Sequence, residues 1–176
     1  FAPYKGTTMH KKLLVTAYFV IAALLQTLAG NFPLSFFAFP LNVIVAVIWI
    51  YSLWRLYKEG NKLPLTRFLL SSRTSVLSIL LLIGGSLVIG LFPQLSEAEA
   101  DSMPGVLASL GCYNFMTSWI FIAILFLLLS NLAMVIIHAF YHCVRAKKRF
   151  ILNHLGLWLA LFAGFFGSSD VQTLRI

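Results

Sequence analysis

TSWIFIAILFLLLSNLAMVIIHAFYHCV, residues 117–144, decides the fold class of this chain. The stretch is almost entirely apolar and is longer than the roughly 20 residues needed to cross a bilayer core about 30 Å thick. Lipid forces such a run into a helix, because bonds within the helix are its only way of satisfying the backbone. The stretch therefore predicts a transmembrane helix.

Four other apolar runs approach or reach this length. They are about Leu13–Leu28, about Pro40–Tyr57, Thr74–Phe92 and Phe150–Ser168. The 176 residues are 60% hydrophobic and only 10% charged, with a mean hydropathy of +0.92. A soluble domain of this length needs far more charge to cover its surface. The sequence predicts an all-α integral membrane protein with about five transmembrane helices.

Basic residues are distributed unevenly between the connecting segments, and this predicts the orientation. Of the 13 Lys and Arg residues, 12 fall in the N-terminal tail, the 55–73 segment and the 145–149 segment. The loop between the third and fourth runs carries acidic residues and no basic one. The positive-inside rule then places the N-terminus in the cytoplasm and the C-terminus outside. The net charge of +8 thus reflects topology, and we predict no nucleic-acid partner.

The cysteines and the longer loops complete the topology. Cys112 is predicted outside and Cys143 inside, so no disulfide between them is expected. The 59–72 segment is expected to lie along the inner surface. The 95–116 loop is expected to contain a short amphipathic helix.

Polar residues inside the apolar runs are the candidates for function. Asn131, His138 and His142 are spaced by 7 and 4 residues, which puts them within about 40° of one another on a helix. His154 lies roughly 6 Å inside the fifth run. Ionisable residues within a membrane usually have a function. We therefore expect the three histidines to gather in the cytoplasmic leaflet.

The fifth predicted helix sorts its side chains into two faces. Trp158, Leu161 and Phe165 follow His154 at helical spacing and predict an aromatic wall beside the imidazole. A second face carries small residues that let a neighbouring helix approach: Gly156, Ala160, Gly164 and Gly167. An imidazole beside large apolar rings suits haem, which needs an axial nitrogen and an apolar pocket.

Structural interpretations of the same residues stay open. His142 is also explained by solvation at the headgroup level, and His138 by a hydrogen bond to a neighbouring helix. An HxxxH pair can chelate a metal ion, but no carboxylate or cysteine partner is evident at that depth. Asn131 is interpreted as a residue that forms a hydrogen bond to a neighbouring helix. Three glycines of the third run are interpreted as a packing face: Gly84, Gly85 and Gly90.

Three stretches resemble the ResB family, also called CcsB, in order and in topology. TSVLSILLLIGGSLVIGLFPQ resembles its first conserved span, which ends in Gly-x-x-Pro-Gln. LGCYNFMTSWIFIAILFLLLSNL resembles the second, with its Ser-Trp and aromatic residues (here Ser118, Trp119 and Phe121). FILNHLGLWLALFAGFFGSSD resembles the third, which carries a histidine. Residues 74–176 then form a ResB-like three-helix core, and residues 1–73 add two transmembrane helices and a basic cytoplasmic loop.

The resemblance implies a role in cytochrome c maturation by System II, in the bacterial inner membrane. Such proteins work with a CcsA-type partner that carries a tryptophan-rich motif, and the pair moves haem b outward for attachment to the CxxCH cysteines of apocytochrome c. The histidine of the third span is an axial ligand of the haem iron, which corresponds to His154 here. Trp158, His138 and His142 are further candidate haem contacts. The chain would be one component of a synthase, with no catalytic residue of its own.

The chain departs from the family in two respects. Family members usually carry a large extracytoplasmic domain after the third span, which is expected to be absent here, and residues 1–73 have no counterpart. An alternative is a haem-binding membrane anchor of a quinone-linked electron-transfer complex, with His138 and His154 both as ligands. A third is a structural or transport subunit whose histidines only form hydrogen bonds. No P-loop or GxSxG motif supports a hydrolase.

Overall fold

The computed structural model of the chain describes residues 6–60, 63–96, 99–100, 102–142 and 148–167, with the backbone alone for 6–12 and 34. These residues are helical and contain no strand. The α-helices are α1 (Gly6–Ala29), α2 (Leu41–Lys58), α3 (Pro64–Leu69), α4 (Ser72–Leu91), α5 (Val106–Ser109), α6 (Trp119–Tyr141) and α7 (Lys148–Phe166). Short 3-10 helices cover Leu34–Phe37 and Cys112–Thr117. The all-α prediction is confirmed for the described residues.

Four helices in the described residues are long and apolar enough to cross a membrane: α2, α4, α6 and α7. The apolar part of α1, Leu13–Ala29, is shorter than the roughly 20 residues needed to cross a bilayer core. Four of the five predicted runs are therefore confirmed as candidate membrane helices. Helix α6 is the most buried of these four helices. In its most apolar stretch 61% of the residues are buried, against 22% or less in the other three.

The chain packs as two compact units. The first comprises Phe1–Phe32 and Leu80–Leu125, and the second comprises Pro33–Ile79 and Phe126–Ile176. Cys143, which entered the topology prediction, lies outside the described residues. So do several of the charged residues used for that prediction: Lys5, Lys62, Glu97, Asp101, Arg145, Lys147 and Arg175.

In the first unit, Ser118 determines where α6 begins. Its hydroxyl accepts a hydrogen bond from the Phe121 N–H at 3.1 Å and donates one to the Phe115 carbonyl at 2.8 Å. This is the arrangement of an N-cap serine, which satisfies a donor that the first helical turn leaves unpaired. The Ser-Trp pair thus begins the helix at Trp119 instead of at the predicted Thr117.

Gln26 of α1 joins that helix start to the first helix. It is only 4% exposed, its Oε1 accepts the Trp119 N–H at 2.8 Å, and its Nε2 donates to Asn31 at 3.0 Å. Gly111 packs directly on this amide with a φ of +72°, and a Cβ there would lie 2.9 Å from the Gln26 Nε2. Glycine is therefore required at 111 by both conformation and space.

The Pro-Gln pair after α4 holds the loop that leads to α6. The Oε1 of Gln94 accepts the Phe115 N–H at 3.0 Å, and its Nε2 donates to the Cys112 carbonyl at 3.2 Å. The Leu95 N–H adds a bond to the Tyr113 carbonyl at 2.7 Å. The loop contains the expected short helix, although α5 is a single turn.

The glycines of α4 form a packing face only in part. A Cβ at Gly85 would lie 3.3 Å from the Phe115 ring and 3.4 Å from the Phe121 ring, so this glycine admits two aromatic neighbours. Nothing lies within 4 Å of a Cβ at Gly84 or Gly90. The packing interpretation is confirmed for Gly85 and is wrong for the other two within the described residues.

In the second unit, Asn131 confirms its interpretation as a link between helices. It is 3% exposed, and its Nδ2 donates to the Leu69 carbonyl of α3 at 2.6 Å. Asn131 lies ten residues before the end of α6 at Tyr141, or about 15 Å along the helix. The α3 part of the 59–72 segment therefore packs at the middle of α6, where the Leu69 carbonyl supplies the acceptor that a buried amide needs. The position of this segment at the inner membrane surface stays a prediction.

Aromatic packing joins α7 to α2 and the preceding loop. Phe37, 2% exposed, contacts the rings of Phe165 and Phe166 at centroid distances of 4.6 and 5.1 Å. The Trp49 ring lies nearly parallel to that of Phe162, and the Asn42 amide donates to the Phe166 carbonyl at 3.2 Å. These contacts determine which face of α7 points inward.

Candidate functional site

His154 lies in the second turn of α7 and is half-buried. Its Nδ1 is 2.8 Å from the Phe150 carbonyl, and the Phe150 ring lies against the imidazole with centroids 3.8 Å apart. A carbonyl oxygen only accepts hydrogen bonds, so Nδ1 carries the proton. The lone pair of the neutral ring is then on Nε2, and a neutral imidazole can bind a metal through either nitrogen. The hydrogen bond thus orients the imidazole and leaves Nε2 as the atom that could act as a ligand.

The face of α7 that holds His154 lies at the border between packed and open surface. On one side, Ile151 and Phe165 are each 8% exposed. On the other side, Phe150 is 42% and Leu157 54% exposed. Both of these lie within one turn of His154 on the helix. Within the described residues, this apolar strip beside the imidazole is uncovered.

The rings of the predicted aromatic wall make packing contacts inside the unit, and their role beside a ligand stays a prediction. The Trp158 indole N–H donates to the Leu129 carbonyl of α6 at 3.1 Å. Phe165 packs on Phe37 and Phe126 at centroid distances of 4.6 and 5.4 Å. Periodicity correctly put these residues near His154 in angle, but they face the other helices of the unit.

The small-residue strip of α7 is open. Nothing lies within 4 Å of a Cβ at Gly156 or Gly164, and Ala160 is exposed. The close approach that these residues allow is therefore not used within the described part of the chain. The strip is available to lipid or to a helix of another protein.

A small apolar cavity lies next to this region. It measures about 120 Å³ and is lined by residues of α2, α6 and α7, among them Leu53, Ile137, Leu155 and Trp158. Pockets for drug-sized ligands occupy about 300–1,000 Å³. The cavity is therefore too small for a porphyrin.

His138 and His142 meet Tyr57 at the ends of α6 and α2. The Tyr57 hydroxyl lies 3.2 Å from the His138 Nδ1 and 3.4 Å from the His142 Nδ1. The two imidazole rings are 4.3 Å apart between centroids. The His142 Nδ1 is also 3.1 Å from the His138 carbonyl. The sequence argument found this histidine pair but missed Tyr57, although it ends an apolar run at the same predicted depth.

The structure thus distributes the predicted site residues over two places. His138 and His142 share a cluster with Tyr57, whereas the hydrogen bond and ring contact of His154 are with Phe150 of its own helix. Within the described residues, no group of three or more His, Cys, Asp or Glu side chains forms a metal site.

Searches of protein-family models, of curated proteins and of solved structures found no match to this chain. The functional argument therefore rests on the residues and their geometry.

Proposed function

We propose that this chain is the membrane component of a cytochrome c maturation system that handles and exports haem b, with His154 as an axial ligand of the haem iron. The observation that carries the proposal is the hydrogen bond from His154 Nδ1 to the Phe150 carbonyl. It leaves the Nε2 lone pair available on a helix face that the described residues do not cover.

The residues around His154 are suited to haem as cargo. The imidazole supplies one axial nitrogen, and Phe150 and Leu157 supply apolar surface for the macrocycle. The cavity beside them, about 120 Å³, is too small for a porphyrin, which favours a site completed by a second protein. A CcsA-type partner would supply the other ligand, and the open strip around Gly156 and Gly164 is suited to docking one of its helices. His138, His142 and Trp158 have their own contacts within the chain and are candidates only for flanking roles.

The proposed topology has five transmembrane helices in the bacterial inner membrane, with residues 1–73 added to a ResB-like core of residues 74–176. The N-terminus is cytoplasmic and the loop that contains Glu99 and Cys112 is extracytoplasmic. Hydrogen bonds from the Ser96 hydroxyl and backbone N–H lower the pKa of the Glu99 carboxyl. Glu99 therefore stays ionised at neutral pH, in a loop that carries no Lys or Arg.

Cysteine labelling tests this topology. In right-side-out spheroplasts, a membrane-impermeant maleimide should label Cys112 in the Cys143→Ser variant and leave Cys143 unlabelled in the Cys112→Ser variant. Partial burial raises the pKa of the Cys112 thiol. Because the thiolate is the reactive form, labelling should accelerate as the pH rises toward that pKa. The opposite pattern, with Cys143 labelled from outside, would overturn the orientation.

Co-expression tests the function. The chain, a CcsA-type partner and an apocytochrome c with one CxxCH motif should together give covalently attached haem. Omitting the chain should abolish attachment while the partner still reaches the membrane. The purified pair should carry haem with a bis-imidazole absorption spectrum. Attachment at the same yield without this chain would contradict the proposal.

The alternative function, a haem-binding membrane anchor, predicts a different set of haem ligands. It requires haem bound by this chain alone, with His138 and His154 as the two ligands. Haem retained by the chain without any partner, and lost equally in His138→Ala and His154→Ala, would favour the anchor.

A further inference from the structure

We propose that Tyr57, His138 and His142 form a binding site for a divalent transition-metal ion that prefers imidazole ligands, such as Cu²⁺ or Zn²⁺. This metal site is distinct from the proposed haem ligand His154 and does not depend on the haem function.

The distances between the donor atoms match those between ligands of one metal ion. Ligands at about 2.0–2.1 Å from a tetrahedral metal lie about 3.3 Å from one another. The Tyr57 oxygen is 3.2 Å from the His138 Nδ1 and 3.4 Å from the His142 Nδ1. Two edges of a tetrahedral ligand set are therefore already formed, and residues four apart on a helix bring the two imidazoles to the same face.

Metal binding would exchange the hydrogen bonds of the cluster for coordination bonds. The His142 Nδ1 proton is donated to the His138 carbonyl, which also accepts the His142 backbone N–H at 3.1 Å. If the His142 proton moves to Nε2, the carbonyl keeps its helical hydrogen bond, and a rotation of the ring turns the Nδ1 lone pair from that carbonyl toward the Tyr57 oxygen. Binding through the Tyr57 oxygen would release the phenol proton to solvent.

The surroundings hold Tyr57 in place and leave the histidines accessible. The Tyr141 ring packs on the Tyr57 ring at a centroid distance of 5.1 Å, and the Tyr141 hydroxyl accepts the Trp54 N–H at 3.1 Å. His138 and His142 are both exposed, so an ion can enter and water can supply a fourth ligand. Two imidazoles and a phenol oxygen suit Cu²⁺ and Zn²⁺, and Cu²⁺ binds such donors most tightly among the divalent first-row ions.

Copper titration of the full chain tests the site. The protein is purified in detergent with an affinity tag that contains no histidine, and Cu²⁺ is added with calorimetric and absorption readouts. We expect one equivalent to bind, with a phenolate-to-copper band in the visible spectrum. His138→Gln and His142→Gln should each weaken binding at least about 100-fold, since loss of even an outer hydrogen-bond partner of a ligand costs 10–100-fold.

Tyr57→Phe separates a metal site from a structural cluster. This variant should retain weaker copper binding through the histidine pair but lose the visible band. His10→Gln removes a histidine from α1 and serves as the matched control, with affinity and band unchanged. Far-ultraviolet circular dichroism checks that each variant keeps its helix content. Stoichiometric binding that is unaffected by His138→Gln, or no saturable binding by the native chain, would overturn the site, as would a visible band that persists in Tyr57→Phe.

Discussion

Replacing His154 by alanine should remove haem from the purified complex of this chain with a CcsA-type partner. The variant loses the imidazole whose Nδ1 is already bonded to the Phe150 carbonyl at 2.8 Å. A direct ligand contributes more than the outer hydrogen-bond partners of ligands, whose loss costs about 10–100-fold in metal affinity. We therefore expect haem affinity to fall at least about 100-fold, and the bis-imidazole spectrum to disappear.

The matched control for this variant is Asn153→Ala. Asn153 is the preceding residue and is exposed, so its truncation changes the same turn of α7 without touching the imidazole. It should leave haem content unchanged. His138→Ala should do so as well if the partner supplies the second ligand. A normal haem spectrum in His154→Ala, with partner and chain still associated, would show that His154 is not a ligand.

Replacing Gln26 by leucine, outside the proposed haem site, should cause a large loss of stability. The Gln26 amide is buried and bonded both to the Trp119 N–H and to the Asn31 side chain. Leucine has a similar volume but leaves both partners without their hydrogen bond. At about 1–3 kcal/mol for the Trp119 N–H left unsatisfied, and less for the half-buried Asn31 amide, we expect a loss of about 2–4 kcal/mol. The difference in the free energy of unfolding is measured by adding a denaturing detergent to the protein in a mild detergent.

Thr27→Val is the matched control, and Gly111→Ala tests the geometry. The Thr27 side chain is exposed and bonds only the Leu24 carbonyl of its own helix among the described contacts, so its loss should change stability by less than about 0.5 kcal/mol. Gly111→Ala should also destabilise, because its Cβ would lie 2.9 Å from the Gln26 Nε2. Part of that cost should vanish in the Gln26→Ala background, where the clash is absent. Equal midpoints for Gln26→Leu and the native chain would contradict this account.

Hydrophobic run length and a few local signals were enough to predict much of the fold. The predicted third and fifth runs, beginning at Thr74 and Phe150, differ by two residues from the observed starts of α4 and α7. In lipid, helix formation follows from run length alone. Asn131 was correctly interpreted because an amide in an apolar run has few alternatives to a bond with a neighbouring segment.

The composition of the candidate sites was harder to predict, since periodicity gives the angle between side chains but not which face points inward. Trp158 and Phe165 lie close to His154 on the helical wheel, yet long-range packing against Leu129 and Phe37 turns them to the interior. Tyr57 was missed for a related reason. It is 81 residues from His138 in the chain, and only the packing of α2 against α6 within the second unit brings them together.

Chemical rescue of His154→Gly tests the central claim most directly. This variant, purified with the partner, is reconstituted with haem in the absence and presence of free imidazole. If the iron takes its ligand from the His154 ring, the bis-imidazole spectrum should be absent at first and should return as imidazole fills the space left by the side chain. The same spectrum in His154→Gly without added imidazole would contradict the account.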